Sequence, residues 1–159
     1  MSATFGFSEA NGVGEVITDS LTNLNMGSID MSGLTPSTYP VIAGANAFEK
    51  YLKAKFSGTF TEISNMKFWK SAGSLKTGEA IKADLVTSYA QPVATTSTVA
   101  VTNVPTVVGS AITVLSAAGT ATITAPGYTR YIALQLQTTA STPAGALNTK
   151  TFTFQYDEV

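Results

Sequence analysis

Two short motifs in the sequence match motifs that carry acyl-transfer chemistry in penicillin-recognising enzymes. Residues 64–67 (SNMK) fit S-x-x-K, whose serine is the nucleophile, and residues 76–78 (KTG) fit K-T-G. In those enzymes the serine begins a helix, K-T-G lies on a strand much further along the chain, and an S-D-N motif is also present. Here one turn separates the two matches in a stretch typical of β-strands, and no S-D-N intervenes. The matches therefore predict no catalytic site.

The residues that most other catalytic and metal sites require are absent or scattered. The chain has no cysteine and no histidine, which excludes thiol nucleophiles, thiolate metal sites and the commonest general base. The stretch GVGEV at 12–16 lacks the third glycine and the following helix of a dinucleotide-binding loop. The aspartates lack the Asp-x-Asp spacing of a calcium loop, being Asp19, Asp30, Asp84 and Asp157. We therefore expect no enzyme activity, no cofactor and no bound metal.

The stretch from Ala47 to Lys70 concentrates positive charge in a chain that has little of it. It holds five lysines and the single tryptophan, whereas charged residues make up 12% of the chain, about half the usual ~25%. The lysines alternate with apolar residues, as on the solvent-exposed face of an antiparallel sheet, and acidic residues are interleaved with them. With a net charge of −1, this pattern favours a solvated face that contacts a protein partner over a nucleic-acid site. The candidate partner interface includes Lys53, Lys55, Lys67 and Lys70.

Alternation also predicts the element that positions these lysines. Leu52, Ala54 and Phe56 alternate with Lys53 and Lys55, which is the period of a half-buried strand. A helix is the competing interpretation, because residues 48, 52 and 56 have four-residue spacing and residues 46–49 imitate a capping box. The strand is favoured, because the segment is short and the next one, residues 62–71, is also typical of a strand.

The remainder of the chain is a series of short, β-branched segments separated by turn residues. Strands are predicted within residues 78–89, 97–104, 110–117, 119–127, 128–138 and 150–157. Eight or so strands at this spacing, with no linker between them, predict one all-β domain spanning 1–159. We expect a single antiparallel β-sandwich of the immunoglobulin-like type, with a jelly roll as the alternative.

Three large aromatic residues are candidates for the core of this sandwich. Trp69 falls where the third strand of an immunoglobulin-like sandwich places an aromatic side chain across the core. Tyr128 and Tyr131 precede the long segment IALQLQ as a tyrosine corner would. A solvent-facing Trp69 that stacks on a sugar is the alternative. Because Phe68 and Trp69 point in opposite directions on a strand, one of the two must leave the core.

Neither a membrane nor an exported location is expected. Mean hydropathy is +0.19, yet no apolar run approaches the ~18 residues of a membrane-spanning helix. The first residues, MSATFGFSEANG, lack the basic region and apolar stretch of a secretory signal. The protein is therefore expected to be made in the cytoplasm and used without export.

Three stretches give the chain a resemblance to a known class of protein: SLTNLNMGSIDMSG, PVIAGANAFEKYLKAKFSGTFTEISNMKFWKS and TKTFTFQYDEV. Together with a Thr/Ala/Ser-rich composition, they resemble structural proteins of tailed-bacteriophage virions. Many of these are immunoglobulin-like or jelly-roll sandwiches. The resemblance implies a virion component of the head-decoration (cement) type, located in the virion. It also implies major capsid or other virion proteins as partners, and a homo-oligomer or array in the assembled particle.

The start of the chain offers a candidate attachment segment. Phe5 and Phe7 would lie on one face of an extended segment, so residues 1–12 are a candidate docking arm that adds to a neighbour's sheet edge. The alternative is that they form the first internal strand.

The rival function is a receptor- or glycan-binding module on a virion tail or fibre. Residues 138–148 (TTASTPAGALN) and 34–40 (LTPSTYP) would supply its loops. Its candidate aromatic contacts are Trp69, Tyr39 and Tyr51.

Overall fold

The computed structural model describes residues 2–96 and 99–159, and all of its longer elements are β-strands. One turn of 3₁₀-helix, Val108–Ser110, accompanies the strands. The strands are β1 (Ala3–Asn11), β2 (Val16–Thr18), β3 (Lys50–Gly58), β4 (Ile63–Ala72), β5 (Glu79–Val86), β6 (Ile112–Thr113), β7 (Gly127–Tyr128), β8 (Tyr131–Thr138) and β9 (Thr151–Glu158). The all-β prediction is confirmed.

These strands form two antiparallel sheets. The large sheet has the order β2-β1-β3-β8-β5, and the short β7 also pairs with β3. The small sheet has the order β6-β4-β9. Residues 52, 54 and 56 of β3 face the core while Lys53 and Lys55 face outward, as their alternation predicts.

The six longest strands follow the order of an immunoglobulin constant-type sandwich. When β1, β3, β4, β5, β8 and β9 are taken as strands A to F, the large sheet contains A-B-E-D. The small sheet places C beside F. The immunoglobulin-like prediction therefore describes this order better than the jelly-roll alternative.

The main core lies between the two sheets. β3 contributes Phe56 and β4 contributes Phe68, both completely buried, and β8 contributes Ile132 and Leu134. Half-buried aromatic rings of β1 and β9 complete it along one side: Phe5, Phe7, Phe152, Phe154 and Tyr156. Full burial of such a ring stabilises a fold by about 1.5–3 kcal/mol, so even these half-buried rings help to hold the sheets together.

A second, smaller apolar cluster lies on the outer face of the large sheet. It comprises Ala10, Tyr51, Ala100, Tyr131 and Ala133, with Tyr89 and Val99 packed against it. The carboxylate of Glu49 accepts the backbone N–H groups of Val99 and Ala100, which anchors this covering segment. The large sheet is therefore covered on part of its outer face as well as on its inner face.

Three of the predicted strands are shorter than expected or missing. Within 97–104, residues 97 and 98 lie outside the described part of the chain, and the rest makes one isolated bridge at Asn103. Within 110–117, β6 forms and Ser116 makes an isolated bridge, while 119–127 contributes an isolated bridge at Ile123 and the first residue of β7. These segments are rich in β-branched residues, but they lie along sheet edges rather than inside a sheet. Strand propensity therefore overestimates them, because a strand also requires a partner along its length.

Candidate interaction surfaces

The two outward lysines of β3 are neutralised within the chain. The ammonium of Lys53 lies 2.9 Å from Oε1 of Glu15 and 4.1 Å from the ring centre of Tyr131. The ammonium of Lys55 donates to Oδ2 of Asp19. Both carboxylates lie in the segment that contains β2, beside the outer face of β3. These side chains therefore form an internal network of ion pairs and cation–π contacts.

This network shifts the ionisation of its members. A hydrogen bond from the Lys55 ammonium, with a second from the Ser8 hydroxyl, lowers the pKa of Asp19 below its ordinary value. The hydroxyl of Tyr131, followed by the ammonium of Lys53, lowers the pKa of Glu15 in the same way. Each carboxylate is stabilised in its charged form, so the network is at full strength at neutral pH.

The two lysines of β4 face opposite ways. Lys70 points inward, is 8% exposed, and its ammonium donates to the carbonyl of Gly73 at 2.7 Å. Lys67 points outward, opposite Gln155 of β9. The four lysines of the candidate partner interface are thus divided between two sheets, and they do not form one basic surface.

Lys50 is buried like Lys70, although the sequence pattern predicts a solvated position for both. Its side chain is 1% exposed and its ammonium lies 2.7 Å from Oε1 of Glu9, itself 2% exposed. The same ammonium donates to the carbonyl of Met31 at 2.6 Å. Parity could have revealed it, because Lys50 shares the inward parity of Leu52 and Phe56.

Phe5 and Phe7 belong to the first internal strand, which was the alternative to a docking arm. β1 pairs with β3 from Ala3 to Ala10. The ring of Phe5 stacks on that of Phe154 at 5.3 Å between centres, and Phe7 meets Phe154 edge-on at 5.9 Å. Both side chains are therefore used inside the molecule.

The expectation that Trp69 fills the core is wrong. Phe68 takes the inward position and stacks on Phe152 at 5.5 Å, which turns Trp69 to the outer face of the small sheet. There Trp69 is half-buried opposite Thr153, next to Lys67 and Gln155 along the strands. This outer face thus carries one aromatic ring among hydroxyl and amide side chains.

The tyrosine corner is also a wrong expectation. The hydroxyl of Tyr128 donates to the Asp19 carboxylate at 3.3 Å, and that of Tyr131 donates to Glu15, so both bond to side chains rather than to an upstream carbonyl. Tyr131 is buried, in the smaller cluster, whereas Tyr128 is half-buried outside either cluster. The cause is strand order: the segment after them is strand E, whereas a tyrosine corner precedes strand F.

The loops expected to form a binding tip are held by hydrogen bonds. In 138–148, the hydroxyl of Thr142 accepts the backbone N–H of Thr139 at 3.1 Å, and the amide of Asn148 donates to the hydroxyl of Ser74 at 2.9 Å.

An open groove of about 410 Å³ lies between residues 18–25 and 32–36. Tyr39 is half-buried, and Tyr51 is 1% exposed and so cannot contact a glycan.

Within residues 2–96 and 99–159, no three acidic side chains lie close enough together to hold a metal ion. In the same residues no helix is long and apolar enough to cross a membrane. In comparisons with known proteins, no family model, no curated protein and no solved structure matches the chain.

Proposed function

We propose that the protein is a non-catalytic structural component of a phage virion, of the type that decorates the head and bridges neighbouring shell subunits. The observation that carries this proposal is the outer face of the small sheet. It presents Trp69 among Thr153, Gln155 and Ser71, with Lys67 as its cation. We infer that such a face is buried against another protein, because its aromatic ring and uncharged polar groups can be removed from water at little cost.

The energetics of such a contact follow from its composition. Tryptophan is enriched among the few residues near the centre of a protein interface that contribute most of the binding energy. Apolar area buried at a seam contributes about 25 cal/mol per Å² before the costs of association. Uncharged hydroxyl and amide groups around the ring are cheaper to desolvate than charged ones. The contact would therefore be stabilised mainly by burial.

Co-sedimentation with purified tailed-phage heads stripped of their decoration proteins tests this function. We expect the wild-type chain to pellet with at least one kind of head and Trp69→Ala to bind at least about tenfold more weakly. The matched control is Val101→Ala, which truncates another exposed apolar side chain, whose backbone N–H bonds to Asp84 on β5 of the large sheet. Equal loss in both variants, or no binding to any head in the panel, would contradict the proposal.

The outward position of Trp69 also favours the rival function, a receptor- or glycan-binding module. A sugar ring can stack on an indole while neighbouring amide and hydroxyl groups hydrogen-bond its hydroxyls. Gln155 and Thr153 offer such groups beside Trp69. Binding on a glycan array, together with a change in the fluorescence of this single tryptophan, would support that function. No binding on the array combined with stable association with heads would remove it.

A further inference from the structure

Two sheet edges of this sandwich, those of β5 and β4, are covered by the chain itself. Along β5, the N–H of Ala83 donates to the carbonyl of Thr102 at 2.8 Å, and the N–H of Val104 donates to that of Ile81 at 2.9 Å. Residues 101–104 therefore occupy this edge without forming a strand of their own.

The far edge of β4 is covered in the same manner. Ile63 and Ile123 exchange both backbone hydrogen bonds, and β6 pairs with the middle of the strand. The carbonyl of Met66 accepts the N–H of Val114 at 2.9 Å, and the N–H of Lys70 donates to Pro105 at 2.8 Å. Covered edges of this kind prevent association with other chains.

β9 differs from both. Val159 exchanges backbone hydrogen bonds with the β4 side, donating to Glu62 and accepting from Thr61. Backbone hydrogen-bonding groups alternate in direction along a strand, so the odd-numbered residues of β9, like Val159, direct their N–H and C=O groups toward β4. The even-numbered residues direct theirs away from β4: Phe152, Phe154, Tyr156 and Glu158. Among the described residues, none of their N–H or C=O groups has a backbone partner.

Along most of its length β9 has nothing that blunts this edge, because its two charged residues, Asp157 and Glu158, lie at one end. Its sequence, TFTFQYDE, contains no lysine and no proline, and both irregularities in its pairing fall in β4. In the immunoglobulin order, strand G lies on this side of strand F, and within the described residues that position is unfilled. The inward rings of Phe154 and Tyr156 are still half-exposed there. The edge thus offers a strand-length row of main-chain groups flanked by apolar surface.

We propose that the free edge of β9 pairs antiparallel with β9 of a second copy of this chain. A two-fold axis would make the contact isologous and would join the two small sheets into one sheet. Charge selects the antiparallel direction, because Asp157 and Glu158 lie at one end of the strand. Parallel copies would place four carboxylates side by side, whereas antiparallel copies separate the two acidic ends by about 20 Å.

Hydrogen-bonding parity limits the register to those that set even-numbered residues opposite each other. Among these, the register centred on Phe154 pairs nearly the whole strand while it sets the two acidic ends well apart. With Phe154 of each copy opposite the other on the axis, Phe152 lies opposite Tyr156 of the second copy. On the outer face, Thr153 then lies opposite Gln155 of the second copy, and Thr151 lies opposite Asp157. Each acidic end thereby meets the threonine end of its neighbour. The pairing needs no other protein, so its test is separate from that of the proposed virion function.

A charge-swap experiment tests the pairing. Thr153→Lys with Gln155→Lys should place lysines opposite lysines in the homodimer, and the matching double substitution to glutamate should do the same with carboxylates. By analytical ultracentrifugation we expect the wild-type chain to dimerise, and each charged variant to dimerise at least about tenfold more weakly. An equimolar mixture of the two variants should recover the dimer.

The control carries the same added charge at the other edge of the small sheet. Thr113→Lys with Thr106→Lys changes two exposed threonines, and Thr113 flanks Lys67 just as Gln155 does on the other side. This variant should dimerise like the wild type. A wild-type chain that stays monomeric at millimolar concentration overturns the proposal, as does a dimer that ignores the charges in β9 or is lost equally in the control.

Cysteine cross-linking checks the register and does not depend on charge. The chain has no cysteine of its own, so Thr153→Cys and Gln155→Cys each introduce a single thiol. Directly opposite residues that are not hydrogen-bonded to each other have Cβ atoms about 4.5–5.5 Å apart, which a disulfide can bridge with small adjustments. Mixing the two variants under oxidation should give more cross-linked dimer than either variant alone. Equal or no cross-linking would overturn the proposed register.

Discussion

The ammonium of Lys50 on β3 lies 2.7 Å from the carboxylate of Glu9 on β1, and both side chains are shielded from water. Removing one partner leaves the other as an unpaired buried charge, which costs about 3–5 kcal/mol. We therefore expect Lys50→Met to lower the free energy of unfolding by about that amount, measured by denaturant unfolding. The double variant Lys50→Met with Glu9→Leu should recover most of the loss.

The exposed pair between β3 and the segment after β2 is the control. Lys55 and Asp19 are each more than a third exposed, and solvent screens pairs of this kind, so they add little to stability. Lys55→Met should therefore change the unfolding free energy little. If the double variant at the buried pair were no more stable than Lys50→Met alone, the cost would come from shape rather than from charge.

Phe68 and Trp69 are chain neighbours with opposite roles. Phe68 is completely buried, so Phe68→Ala should cost about 3–5 kcal/mol of unfolding free energy. Trp69→Ala should cost less than half as much, because its ring is half-buried on the outer face. In the folded protein, acrylamide should quench the fluorescence of Trp69. A tryptophan shielded from the quencher would contradict its outward position.

Acid should weaken the network that joins β3 to the β2 segment. The pKa values of Glu15 and Asp19 lie below their ordinary values of 4.5 and 3.8, so the folded protein binds fewer protons than the unfolded chain. The contribution of these two carboxylates to stability is fully present at pH values above their ordinary pKa values. It is lost as the pH falls through their lowered pKa values in the folded protein. Stability should thus be flat with respect to these groups between about pH 5 and 8, where no histidine titrates.

The measurement is the free energy of unfolding as a function of pH, from about pH 5 downward. Glu15→Gln with Asp19→Asn should flatten its dependence on pH. An unchanged slope in the double variant would mean that other carboxylates govern the acid response.

Salt distinguishes a burial-driven contact from a charged one. Screening shortens the Debye length to about 3 Å at 1 M salt, which weakens contacts between exposed charges but not apolar burial. We expect the protein to stay bound to phage heads at about 1 M salt. Release at that salt, with circular dichroism showing an intact fold, would favour docking through the lysines instead.

Periodicity predicted the sandwich, and residues 52–56 show why: inward and outward side chains alternate cleanly there. Periodicity could not show which of Phe68 and Trp69 points into the core. The side chains of adjacent strand residues point in opposite directions, and either ring could fill a core position. Residues 99–127 misled more, since their β-branched segments follow sheet edges. The pattern also does not report strand order, so it could not show that β8 is strand E rather than strand F. The Glu9–Lys50 pair depends on contacts distant in sequence, which local patterns do not report.

The segment that covers the β5 edge has a mechanical consequence. Residues 102 and 104 bond to β5 and Pro105 bonds to Lys70 of β4, so one short piece of backbone links the two sheets along this side. Along the opposite side, among the described residues, β1 and β9 meet through aromatic rings and through the N–H of Ala3 on the Glu158 carboxylate. The two sheets are therefore joined by hydrogen-bonded backbone on one side and mainly by side-chain packing on the other. Local opening should therefore begin at β9, whose amides would exchange with deuterium sooner than those of β4, and pairing with a second chain would close that opening.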